Sequence, residues 1–129
     1  MPFYQFTVPT GGATLRHKAE VAAAITTAHS EVTGAPAKYT HCSFVEVPPG
    51  SIFRADKPVN GTRMVGIIRE GRSADVRAKL LHALADAWSE TTEEAKESLV
   101  IFLEEIPGAN TLEDGAIGPE ITEDPGAIY

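Results

Sequence analysis

The sequence is short of cysteine, of basic residues and of long apolar runs, and each shortage excludes something. A single cysteine, Cys42, permits no internal disulfide and offers no second thiolate for a zinc site. It reads as a buried packing residue in a reducing compartment. No stretch approaches the roughly 20 consecutive apolar residues that cross a bilayer, and MPFYQF has neither the basic nor the apolar region of a secretory signal. A cytoplasmic location without a membrane partner is expected. Eleven Lys and Arg against 18 Asp and Glu give a formal net charge of −7, whereas a nucleic-acid surface needs a basic stripe. No nucleic-acid partner is expected either. His17, His41 and His82 show no ligand spacing with one another or with Cys42, so no metal is expected.

What basic charge there is lies unevenly. Five of the eleven Lys and Arg residues fall between Arg63 and Lys79, while seven acidic residues and no basic one lie between Glu104 and Asp124. Within the basic stretch, REGRSAD places Arg69 and Arg72 three apart around Gly71, just before a helix whose expected N-cap is Ser73. Free helix N–H groups, the positive end of the dipole and two guanidinium groups therefore face one region, which suits a small carboxylate. The same pair also reads as solvated loop arginines, or as ion-pair partners of Glu70 and Asp75.

The length and a 43% hydrophobic content suit one domain. QFTVP reads as a strand, TLRHKAEVAAAITTAHSEVTG as a helix with Leu15, Ala19, Ala22 and Ile25 on one face, and YTHCSFVEV as a strand stopped by Pro48 and Pro49. The second half repeats the order: TRMVGII, then a helix over SADVRAKLLHALADAWSE with Val76, Leu80, Leu84 and Ala87 on one face, then SLVIFLEEI. A shift of 59 residues superposes the halves without a gap and matches Gly12 with Gly71, Ala28 with Ala87, Ser30 with Ser89 and Pro48 with Pro107. On that shift Thr10 corresponds to Arg69, Ala13 to Arg72 and His29 to Trp88. The expectation is an α+β fold of two duplicated β-α-β halves, about 1–59 and 60–118, followed by a short acidic tail. The halves should join in a four-stranded mixed sheet with two helices on one face. The other face needs a cover, and a second copy of the chain is the obvious one.

Three further residues could carry chemistry. Removal of Met1 would leave Pro2 as a secondary amine able to act as acid or base, whereas retention leaves it an amide nitrogen without basicity. His29, near the end of the first helix, reads as a core histidine or as a favourable charge at a helix C-terminus. Glu113, in NTLEDG, reads by itself as a solvated loop carboxylate.

Together these residues resemble the tautomerase superfamily, and within it the cis-3-chloroacrylic acid dehalogenase group. The resemblance spans nearly the whole chain, through Pro2, AITTAHSEVTG with His29, IIREGRSAD with Arg69 and Arg72, and IPGANTLEDG with Glu113. It implies a cofactor-free enzyme, a homotrimer, acting on small unsaturated carboxylates or 2-oxo acids. By resemblance, Arg69 and Arg72 bind the substrate carboxylate and Glu113 activates water. Pro2 moves a proton, and His29 orients the carboxylate or the water. Phe102 stands where the group has a substrate-facing tyrosine, which weakens the case for dehalogenation and strengthens that for a related hydratase or tautomerase. The alternative is a non-catalytic trimer of the same fold that binds small carboxylates, above all if Met1 is retained. The tail GAIGPEITEDPGAIY either closes over a neighbouring site or is frayed.

Overall fold

Residues 1–120 are described by the computed structural model. In chain order they form β1 (Phe3–Pro9), a short helix α1 (Ala13–Arg16), α2 (Lys18–Thr33), β2 (His41–Val47), a hairpin of β3 (Phe53–Arg54) and β4 (Lys57–Pro58), β5 (Thr62–Arg69), α3 (Ala74–Thr92), β6 (Leu99–Ile106), and a second hairpin of β7 (Leu112–Glu113) and β8 (Ala116–Ile117). Most of the acidic tail lies outside the described residues.

The main sheet has the order β2-β1-β5-β6, with β1 parallel to β2, β5 parallel to β6, and β1 antiparallel to β5. This is the mixed sheet of two β-α-β halves. Period-two alternation sends Tyr4, Phe6 and Val8 of β1, and Met64 and Ile68 of β5, into one core with Val21, Ile25, Leu80, Leu84 and Trp88 of the helices. Burying each of the larger aliphatic side chains contributes about 1.5–3 kcal/mol. The opposite face shows Val45, Val65 and Phe102 to solvent, an apolar surface that α2 and α3 leave bare.

The helix ends follow local rules. Ser73 caps α3 by accepting a hydrogen bond from the Val76 N–H, as its sequence suggests. Gly34 ends α2 in the left-handed conformation that a side chain disfavours.

Two expectations need correction. A uniform shift of 59 is odd, and an odd shift would turn the core residues of β1 onto the bare face of β5. Apart from Pro9 and Arg69 at the strand ends, the buried positions are even-numbered in both strands, so β1 superposes on β5 with a shift of 60, while the buried Val21, Ile25 and His29 still match Leu80, Leu84 and Trp88 at 59. The extra residue of the first half is absorbed at His17, a non-helical position (φ −122°, ψ 35°) that separates α1 from α2. The backbone agrees, because Gly11 and Gly71 share positive φ, at 86° and 117°. The counterparts of Arg69 and Arg72 are thus Pro9 and Gly12, not Thr10 and Ala13. The same break rotates the buried face of α2, which carries Val21, Ile25, Ala28 and His29, while Ala19 is exposed.

Each half also ends in a hairpin. The two hairpins match at 59, and their turns share left-handed residues, Ala55 at φ 56° and Asp114 at φ 54°. Glu113 therefore corresponds to Arg54, and His41 to Val100.

Candidate active site

The start of β1 and the second hairpin meet at one end of the sheet. Thr111 accepts the Gly118 N–H on its carbonyl at 3.1 Å and donates its hydroxyl to the Gly108 carbonyl at 2.8 Å. These bonds close the loop that presents Glu113. Gly108 is required here, because a Cβ at that position would lie 2.3 Å from the Pro119 carbonyl oxygen. The Pro119 carbonyl in turn accepts a hydrogen bond from the Arg69 guanidinium.

Glu113 points at the N-terminus. The Met1 ammonium donates to both of its carboxylate oxygens, at 2.6 and 2.7 Å, and to the Tyr39 carbonyl at 2.9 Å. His41, the first residue of β2, contacts Oε2 of the same carboxylate through Nε2. Burial alone would raise the Glu113 pKa. Hydrogen bonds and charge from the Met1 ammonium and His41 outweigh that penalty and hold it below the usual carboxylate range. These groups line a cavity of about 480 Å³ together with Phe3, Ile67, Ile106, Thr111, Leu112 and Asp114. Apolar walls with two carboxylates, Glu113 beside the chain start and Asp114 in the hairpin turn, suit a small organic molecule.

Behind this cavity lies a second pair. Tyr4 and His29 are fully buried, and the Tyr4 hydroxyl lies 2.6 Å from His29 Nδ1. Burial, followed by the nearby charges of Arg72 and the N-terminus, lowers the His29 pKa to about 3. Burial raises that of Tyr4 despite the opposing influence of Arg72. Both groups are therefore neutral, the phenol donates to Nδ1, and the imidazole proton is assigned to Nε2. That nitrogen is buried without a hydrogen-bond partner among the described residues. It is a preformed N–H donor.

Arg69 is buried at the end of β5, and Arg72 donates to its carbonyl at 3.1 Å. Burial and the Arg69 charge lower the Arg72 pKa, against the stabilising influence of Tyr4 and Glu105. One nitrogen of Arg72, Nη2, is buried without a hydrogen-bond partner among the described residues, which suits a site that receives an anion. Arg77 continues the series, donating to the Arg72 carbonyl at 2.6 Å and facing Glu105 at 3.4 Å.

The residues singled out in the sequence thus fall into two groups. Glu113 lines the cavity. Pro2 is the buried residue between Met1 and β1; its nitrogen is an amide, and its carbonyl accepts the His41 N–H at 2.9 Å. His29 and Arg72 share an electrostatic neighbourhood with the N-terminus but do not line the cavity, nor does Arg69. Phe102 is 58% exposed on the bare face of the sheet, outside its own chain's cavity. Sequence reasoning missed His41 and Tyr4. A usable signal existed, because parallel pairing of β1 with β2 sets the first residue of β2 beside the chain start. Among the described residues, no three His, Cys, Asp or Glu side chains converge as a metal site would require. No helix among them is long and apolar enough to cross a membrane.

Comparison with known proteins bears on this arrangement. The crystal structure of N1, a member of the cis-3-chloroacrylic acid dehalogenase family, is similar at 26% identity and a TM-score of 0.87, over 94% of this chain and 87% of that one. Native Ps01740 is 32% identical over 86% of this chain and 99% of its own, with a TM-score of 0.79. A symmetric trimer of a fused 4-OT shares the fold at 18% identity and a TM-score of 0.81, over 90% of this chain and 94% of that one. A search of curated protein sequences returns no match. A sequence profile described as "Putative oxalocrotonate tautomerase enzyme" matches residues 1–126, and the chain therefore belongs to that family within the tautomerase superfamily.

Proposed function

We propose that the chain, once Met1 is absent, is a cofactor-free enzyme that moves protons on small carboxylates through the amine of Pro2. The observation that carries this reading is the placement of Glu113 and His41 around the chain start. Loss of Met1 would leave the Pro2 amine beside the carboxylate in place of the methionine ammonium. Arg69 and Arg72 take the substrate carboxylate, and the free Nε2–H of His29 supplies a further donor to it.

For an unsaturated acid, Glu113 takes a proton from water as the water oxygen bonds to the alkene carbon remote from the carboxylate. Protonated Pro2 delivers a proton to the adjacent carbon, and the charge that develops on the carboxylate is held by the arginines. With a 3-halo substrate, the resulting halohydrin expels halide and a proton to give an aldehyde acid. With neutral Pro2, the same site moves a proton between the oxygen and carbon of an enol. A homotrimer is proposed as well, because the bare apolar sheet face needs a cover and the fused 4-OT of similar fold is a trimer. In such an assembly Phe102 would approach a neighbouring copy, without the hydroxyl of a tyrosine.

One observation favours a second reading. While Met1 is present, its ammonium occupies both oxygens of Glu113, so a chain that retains Met1 is a carboxylate-binding protein without turnover. Intact mass, measured beside assays of enol tautomerisation and of water addition to cis-3-chloroacrylate, separates the two. Turnover in a chain lacking Met1 that disappears in Pro2→Ala supports the enzyme. Absence of turnover in a chain shown to lack Met1 refutes it.

A further inference from the structure

We propose that His41 is a positioning residue for the water-activating carboxylate: its Nε2 contact with Oε2 of Glu113 fixes which oxygen the carboxylate turns toward the cavity. The inference rests on the reading of Glu113 as the group that activates water.

The geometry gives Glu113 two side-chain-level contacts. The Met1 ammonium engages both oxygens, whereas His41 engages Oε2. When Met1 is absent, its two bonds to the carboxylate go with it, the Pro2 amine comes beside the carboxylate in its place, and the His41 contact with Oε2 persists. A carboxylate held at one oxygen keeps the other, Oε1, free to accept from a water in the cavity. Without that contact the Glu113 side chain samples several rotamers at the mouth of an open hairpin, and few of them point a lone pair at the reacting carbon. A donor such as Nε2–H also sets the basicity of the carboxylate it holds.

The duplicated half supplies an internal control. The β3–β4 hairpin corresponds to β7–β8 and forms the same turn, yet the places of Glu113 and His41 are taken by Arg54 and Val100. Two residues of that kind cannot form the pair. Docking of such a hairpin beside the sheet therefore does not need a His–Glu contact, which argues against a purely architectural role. The groups that face the pair are the Met1 ammonium, which Pro2 would replace, Tyr39 through its carbonyl, and Asp114 from the turn of the hairpin. His41 itself is more than half exposed.

The test uses protein shown by mass to lack Met1, with cis-3-chloroacrylate for water addition and the enol of phenylpyruvate for tautomerisation. His41→Ala should lower kcat for water addition by about tenfold or more with KM nearly unchanged, and the loss should be several times greater than for tautomerisation. His41→Gln keeps an N–H donor without the imidazole ring. It should recover most of the rate. Independently of turnover, the carboxyl carbon resonance of Glu113 should titrate at higher pH in His41→Ala than in the parent chain. An unchanged titration, equal losses in both reactions, or a Gln variant no better than Ala overturns the proposal. Glu113→Gln on the same preparation separates the two levels. If it leaves water addition intact, or the parent shows none, the reading of Glu113 falls and this inference with it. If it abolishes water addition while His41→Ala does not, only the role of His41 falls.

Discussion

Gly66→Ala tests whether the core and the site are coupled through the ring of Tyr4. Gly66 lies opposite Tyr4 across the β1–β5 pairing, and a Cβ there would fall 2.6 and 2.8 Å from two ring carbons of Tyr4 and 2.9 Å from Leu103 Cδ2. Ordinary carbon contacts lie near ~3.5–4.0 Å, so the ring must move by roughly 1 Å or the strands must part. Overpacking of this kind costs about 1–3 kcal/mol, against a gain of about 0.4–1 kcal/mol from replacing glycine in a strand. The net expectation is a loss of about 1–2 kcal/mol in denaturant unfolding, with an unchanged m-value. Protomer concentration must be held constant in any assembling protein. Because the displaced ring carries the hydroxyl 2.6 Å from His29 Nδ1, the same variant should loosen the imidazole and raise its titration midpoint toward that of a free histidine. In a Tyr4→Leu background the methyl at 66 meets no ring, and most of the cost should vanish; that coupling is the signature. A Gly66→Ala chain within ~0.5 kcal/mol of the parent, or an equal cost in both backgrounds, would refute the argument.

Four other outcomes follow from the same structure. His29 is held neutral down to about 3 from an ordinary 6.5, so the unfolded chain takes up a proton that the folded one refuses. The stability it contributes is present above the unfolded pKa and falls by about 1.4 kcal/mol per pH unit between those values; His29→Gln should remove that slope, and an identical slope in the variant would count against it. Trp88→Phe breaks the 2.8 Å bond from the indole N–H to the Thr14 hydroxyl in the buried core and should cost about 1–3 kcal/mol by calorimetry or denaturant. Ser73→Ala removes the α3 cap and should cost about 1 kcal/mol, with Ser73→Asp close to neutral. Cys42, half-buried with its thiol pushed by burial up to about 11, should react slowly with iodoacetamide at neutral pH, and rapid alkylation there would contradict its environment.

How much of this was legible in the sequence depends on the range of the interaction concerned. Element types were legible because each is set by near neighbours, such as the alternation of TRMVGII, the three- and four-residue spacing of SADVRAKLLHALADAWSE, and Ser73 at a helix start. The phase between β1 and α2 was not. A histidine inside an apolar-periodic run looks like a tolerated helix residue, and only the sheet's demand for even parity, set by pairing with β5, reveals that His17 must break the helix. The error was a single residue, yet it misassigned the partners of Arg69 and Arg72 and rotated one helix face.

The site divides along the same line, for a chemical reason. Arg69 and Arg72 announced themselves because two cations near a helix N-terminus form a local pattern. Glu113 and His41 are 72 residues apart, and neither has a neighbour in sequence that makes it unusual. What joins them is the topology: parallel pairing of β2 with β1 sets His41 beside the chain start, and the hairpin after β6 returns across the sheet end to present Glu113 to it. A general base that must meet an N-terminal amine can be built only from residues distant in sequence, because the amine has chain on one side alone. In the proposed reading, the groups that take substrate charge are close in sequence, while those around the chain start are brought together by the fold. For that reason a loop carboxylate with no remarkable neighbours became a candidate catalytic group once the sheet order was known.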